Sequence, residues 1–158
     1  SYGHDIEASW LMMEAAHAIG NKELWDKMHN KAMGLAESVG WRGFDTDGGL
    51  WYEYVPEQGG LVKEKHWWPQ AEAMVGFFNA WQYTKHEGYL KQVFKTWKFI
   101  KNYIKDRQHG EWYWGRDRLY DIMPGEDKAG IWKCPYHNSR ACIEIIKRIN
   151  EIQAVQQG

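Results

Sequence analysis

Three segments of the chain set titratable side chains at matching offsets from a helix start: His4-x-x-Glu7-Ala8, Pro69-x-x-Glu72-Ala73 and His137-x-x-Arg140-Ala141. Histidine titrates near neutral pH, so a pair of imidazoles can take a proton from one face of a carbon and return one to the other. His4 and Glu7 stand three apart, the spacing at which side chains on one helical face meet. The expectation is therefore that Glu7 fixes the tautomer of His4. Trp67 and Trp68 directly precede Pro69, which stiffens the helix entry and holds an indole as a platform. Glu72 and Arg140 would share the same rim. Plainer readings compete with each of these. A first-turn Glu7 is favoured by the helix dipole alone, and a histidine at a helix start often caps or faces water. His-x-x-Glu is also half of a metal site, but no second ligand pair stands near it, so no metal is expected. His17, His29, His86 and His109 lie away from the aligned starts and read as surface residues; His66 is left open. Cys134 and Cys142 read as small buried hydrophobes.

The elements that would position these groups follow from periodicity. Asp5 to Ile19 carries Ile6, Trp10, Met13 and Ala16 at helical spacing, with Gly20 as a stop. Asn21 caps a second helix to about Val39, with Leu24, Met28, Ala32 and Leu35 on one stripe and Gly40 closing it. Gly43 to Tyr54 reads as an aromatic β-hairpin or tight loop around Asp47-Gly48-Gly49, and Pro56 to Gly60 as irregular. A third helix has Pro69 in its first turn and continues from Gln70 to Thr84. A fourth spans Tyr89 to Lys105, burying Val93, Phe94, Trp97, Ile100 and Ile104. Trp112-Tyr113-Trp114 with Gly115 and Asp117 repeats the strand-and-turn texture, and a last helix covers Asn138 to Gln153. Helical hairpins recurring at fixed offsets stack side by side and curve into an α/α barrel or toroid. Two and a half units make an arc of such a ring.

Composition narrows the function classes. The 158 residues suit a single domain, 1–158, with 20 Lys plus Arg against 21 Asp plus Glu. That balance gives no electrostatic footprint for nucleic acid and no basic face for a membrane. Two cysteines make no disulfide scaffold, and with no leader or spanning segment a cytoplasmic setting is the default expectation. Eleven Trp and nine Tyr exceed what a core needs, and flat rings on a wet surface suit the C–H faces of sugars.

The segments Ser1-Tyr2-Gly3-His4-Asp5-Ile6-Glu7-Ala8-Ser9-Trp10-Leu11, Trp67-Trp68-Pro69-Gln70-Ala71-Glu72-Ala73 and Trp132-Lys133-Cys134-Pro135-Tyr136-His137-Asn138-Ser139-Arg140-Ala141-Cys142 resemble the N-acylglucosamine 2-epimerase family. Among its members, those acting on β-1,4-linked disaccharides such as cellobiose and lactose match best. The resemblance runs along the whole chain but takes in only the C-terminal part of the family's length. It implies an all-α fold of (α/α)6-barrel type, about half of it here, with helical hairpins joined by short aromatic loops. It also implies inversion at C2 of the reducing-end glucose through a cis-enediol(ate), with His4 and His137 exchanging the proton and Glu7 orienting His4. Trp67 and Trp132 would be sugar platforms, and Trp68, Glu72 and Arg140 further substrate contacts; neither metal nor organic cofactor is implied. Family members carry further active-site groups on N-terminal helices that this sequence lacks. An isolated C-terminal domain is thus expected, pairing with the missing N-terminal half or with a second copy through its open edge. A non-catalytic carbohydrate-binding half-barrel is the alternative. A glycoside hydrolase or lyase using Glu7 and Glu72 ranks last, because paired imidazoles suit C–H deprotonation better.

Overall fold

Local chemistry sets the helix ends. In the computed structural model, which describes residues 1–157, Ser1 caps α1 (Tyr2–Ile19), its side chain accepting from the His4 amide. Gly20 ends α1 in the left-handed region, φ 71°, returning its N–H to the Ala16 and His17 carbonyls. Asn21 caps α2 (Lys22–Arg42) by accepting from the Leu24 amide at 2.9 Å. This helix outruns the sequence expectation: Gly40 lies inside it, against Gln92, and Gly43 is the stop. α3 (Trp67–Thr84) holds Pro69 in its first turn as expected and starts two residues earlier, taking in both tryptophans. α4 (Glu87–Phe99) continues into a π-turn over Ile100–Ile104, and α5 (Tyr136–Gln157) is longer at both ends than its apolar pattern indicated.

Two further expectations are corrected. Phe94 and Trp97 are 65% and 36% exposed, whereas Val93, Thr96 and Phe99 face inward. The π-turn then brings Ile100 and Ile104 to the core, and Phe94 and Trp97 stand one position to the solvent side. Cys134 is exposed and Cys142 half-buried, because the loop before α5 runs over the surface and Cys142 sits at the flank of the helix.

The strands are short. β1 (Glu53–Val55) and β2 (Gly60–Val62) form a hairpin closed by a 3-10 turn, Pro56–Gln58, just after the expected aromatic loop, where Phe44 and Leu50 make a single bridge. The second aromatic segment makes local antiparallel bridges, Lys105 with Trp112 and Arg116 with Ile122, and also reaches another unit. β4 (Gly115–Arg116) pairs antiparallel with β3 (Lys65–His66), and Trp67 donates its amide to the Trp114 carbonyl at 2.8 Å. The loops of successive units are thereby stitched together at the start of α3.

α1, α3 and α5 lie side by side as one layer, and α2 and α4 cover α1 and α3 from the other side. α3 is central, and every residue from Ala71 to Ala80 is buried, as a helix apolar around most of its circumference requires. Close approach depends on two glycines. A Cβ at Gly3 would strike the Trp68 ring at 2.5 Å, and one at Gly76 would strike Ile6 at 2.6 Å. No described helix is long and apolar enough to cross a membrane.

Candidate functional site

The N-terminal ends of α1, α3 and α5 meet at one rim, bringing the three aligned segments together. An open cleft of about 480 Å³ is lined there by His4, Glu7, Trp67, Trp68, Trp114, Glu126, Trp132 and His137. The Trp68 ring lies between the two imidazoles, its centroid 4.7 Å from His4 and 5.7 Å from His137.

Glu72, which has no exposed surface, ties the side chains behind the cleft together. One of its oxygens, Oε1, accepts from His137 Nδ1 at 2.7 Å and from the Arg140 guanidinium; the other accepts Trp10 Nε1 at 3.0 Å. Arg140 also donates to Glu7 at 2.7 Å and to the Tyr136 hydroxyl, with its guanidinium over the Trp10 and Tyr136 rings. Burial works against the charge of Arg140, yet Glu7 and Glu72 outweigh it and hold the guanidinium even more firmly protonated than usual. With Glu72 as a carboxylate, His137 donates Nδ1–H and keeps Nε2 free as a lone pair toward the cleft.

Several expected roles change hands. Glu7 does not orient His4; it is taken by Arg140, and His4 Nδ1 instead pairs with Ser1 Oγ at 2.8 Å. The carboxylate that orients an imidazole is Glu72, acting on His137 across 65 residues, so Glu72 and Arg140 support the site from beneath the cleft floor. Trp67 is 3% exposed and packs in the core while still bordering the cleft. Its neighbour Trp68, one helical step round, presents the face in the cleft. Trp132 is 82% exposed and lines the cleft.

Sequence reasoning missed Trp114 and Glu126 in the lining. The alternation Trp112-Tyr113-Trp114 was a usable signal, because period two sets 112 and 114 on one face. Glu126 gave none. The approach to α5 is fixed by Lys133, fully buried, whose Nζ reaches Glu111 at 3.0 Å and the Lys128 carbonyl at 2.6 Å. Glu111 also accepts Asn138 Nδ2 at 2.9 Å, so this network locks the residue after His137. His66, left open above, is buried, stacks on Tyr52 at 4.2 Å and pairs with Glu64 at 2.9 Å.

Glu7, Glu72 and His137 bring three potential metal-ligand atoms within 4.8 Å of one another. The Arg140 guanidinium already bridges the two carboxylates, so the protein's own cation stands where a metal would be held.

Residues 2–141 match the N-acylglucosamine 2-epimerase (GlcNAc 2-epimerase) family. The chain is 47% identical over 150 residues to a cellobiose 2-epimerase of Dictyoglomus turgidum, covering 94% of this chain and 38% of that protein. It is 42% identical over 146 residues to one of Bacteroides fragilis, covering 92% and 37%. Among solved structures, a sugar epimerase from a ruminal bacterium superposes with a TM-score of 0.89 at 37% identity, covering 94% of this chain and 38% of that one. The cellobiose 2-epimerase of Bacillus thermoamylovorans gives 0.85 at 41%, covering 94% and 37%. The chain thus spans a little over a third of the length of the relatives it matches, and its helices form an arc of their (α/α)6 barrel. The rim that joins His4, Trp68 and His137 therefore lies in a chain that belongs to the N-acylglucosamine 2-epimerase family.

Proposed function

We propose that this chain carries the proton-transfer part of a sugar 2-epimerase site, acting on the open-chain form of the reducing-end glucose of β-1,4-linked disaccharides such as cellobiose and lactose. One observation carries the reading: two imidazoles flank one indole ring in an open cleft, and one of them has its tautomer set by a buried carboxylate.

The C1 aldehyde of the open-chain sugar acidifies the C2–H bond. His137 Nε2 removes that proton, and the electron pair moves into the C1–C2 bond to give a planar cis-enediolate. After rotation about C2–C3, protonated His4 delivers a proton to the opposite face, giving the mannose configuration. In the reverse direction the roles exchange, as microscopic reversibility requires. Trp68 holds the sugar chain between the rings, Trp132 stacks against the second sugar unit at the mouth, and Arg140 and Glu72 keep His137 in place.

A second reading, a carbohydrate-binding half-site without turnover, is favoured by the exposure of His4 and the openness of the cleft. Proton NMR of cellobiose in D2O with the chain separates the two. Loss of the C2 proton signal with new mannose-type anomeric peaks is expected, and His137→Ala should slow this exchange about 100- to 10,000-fold while sugar binding persists. Undiminished exchange in that variant would overturn the mechanism; binding without any exchange in the unmodified chain would establish the half-site.

A further inference from the structure

The near balance of charge over the whole chain hides an uneven distribution. Seven of the 20 Lys and Arg, but two of the 21 Asp and Glu, fall between Lys85 and Arg107. Both acids are engaged elsewhere. Glu87 accepts the Trp81 indole N–H at 3.3 Å, and Asp106 is buried and takes the Lys128 ammonium at 2.6 Å. Lys91, Lys95, Lys98, Lys101 and Lys105 are all exposed, and among the described residues none of the five enters an ion pair.

Helix geometry gathers them on one side. α4 turns Val93, Thr96 and Phe99 inward, packs on α3, and sets Gln92 against Gly40 of α2. Lys91, Phe94, Lys95 and Lys98 are left pointing outward, and the π-turn carries the row on through Lys101 to Lys105. Two rings stand among the ammonium groups. Phe94, 65% exposed, comes three residues after Lys91 and four before Lys98, the spacings at which helical side chains meet. Trp97, 36% exposed, has the Lys101 Nζ 5.6 Å from its ring centroid. This face is internal to the sequence, turns away from α3 and shares no residue with the cleft.

We propose that the outward face of α4 docks on an anionic lipid surface, with its lysines among the headgroups and Phe94 and Trp97 at the boundary of the acyl region. Lysine suits such a surface. Its ammonium is a compact charge on a flexible stem, which reaches a diffuse negative layer while its methylenes lie along the neighbouring rings. Each lysine brought to the surface adds to the attraction. A single convex helix face has no groove in which a nucleic-acid strand could run, and lysines offer no forked donors for base edges. The rest of the chain is net acidic, so the same lipid repels the other sides of the molecule and one orientation is favoured. The inference stands apart from the proposed reaction and rests on charge and exposure alone.

Flotation with lipid vesicles tests it. The chain should rise with phosphatidylcholine vesicles that contain about 30% phosphatidylserine and stay behind with phosphatidylcholine alone. Lys95→Gln and Lys98→Gln should each weaken binding about 5-fold. Raising salt from about 0.1 M to about 0.5 M should release the chain. Phe94→Ser should keep its helical circular dichroism, bind less and be released at lower salt. Equal binding to both vesicle types, no binding to either, or binding indifferent to both glutamines would overturn the proposal. Unchanged binding by Phe94→Ser would overturn the placing of the rings. Retention of a single-stranded oligonucleotide of about 20 nucleotides that the anionic vesicles fail to displace would overturn the lipid in favour of nucleic acid.

Discussion

Glu72 satisfies three partners at once, Trp10, His137 and Arg140, from a position with no solvent contact. Its removal leaves the half-buried Arg140 guanidinium, among the described residues, with Glu7 as its charged partner and the His137 imidazole free to turn. Glu72→Ala should therefore cost about 3–5 kcal/mol, read from urea unfolding midpoints. Aligned helix starts made the convergence of His4, Glu72, His137 and Arg140 legible, because equivalent starts of stacked hairpins share a rim. Who bonds to whom was not legible. The i,i+3 rule pairs Glu7 with His4, yet Arg140 arrives from 133 residues away with a fixed fork of donors and takes both carboxylates. Nor does adjacency in sequence separate Trp67 from Trp68: one helical step buries the first and opens the second.

At the scale of elements, the sequence showed the helices more clearly than the loops. Helical periodicity is local, whereas β3 and β4 are two residues each and owe their existence to a partner from another unit. The closeness of α1 to α3 yields a direct test. A methyl at Gly76 meets both the Ile6 side chain and its backbone carbonyl, which cannot both retreat, so Gly76→Ala should destabilise by about 1–3 kcal/mol and lower the melting temperature. The loop from Asp106 to Lys133 has a different weakness. The Lys128 ammonium, at 2.6 Å, and the amides of Gln108 and His109 hold the Asp106 carboxyl far below the usual carboxylate range. Partial burial opposes the charge of Glu111, but Lys133 and the Trp112 amide hold its carboxyl down as well. Groups lowered on folding stabilise the native loop above the unfolded carboxylate value of about 4 and lose that contribution as pH falls through their folded values. Hydrogen exchange on an acid titration should thus show the 106–133 amides opening below about pH 4 ahead of the helices. Uniform loss of protection would contradict this.

Across the whole molecule, the inner helices are tied at two polar levels. The upper is Glu7, Glu72, Arg140 and His137. The lower is Arg148, 6% exposed, which donates to Asn79 at 3.0 Å, Gln82 at 2.7 Å and Glu14 at 2.7 Å, joining α1, α3 and α5 two turns below the rim. Arg148→Met should cost about 1–3 kcal/mol by denaturant unfolding, because it removes charged hydrogen bonds. Its effect should add to that of Glu72→Ala, the two levels sharing no partner. Curvature into an arc was readable from the repeat, but this lower level was not, since nothing local marks an arginine that will reach three helices. The stitch between β3 and β4 has a consequence in time. Helical hairpins close over short stretches of chain and form fast, while pairing His66 with Gly115 has to bring together two distant parts of the sequence and so lags. In refolding, helicity should therefore return before the Trp67–Trp114 contact, whose ring centroids finish 4.5 Å apart, restores its fluorescence. The cleft would then be the last part of the molecule to assemble, its lining rings reaching their places only after the helical scaffold is complete.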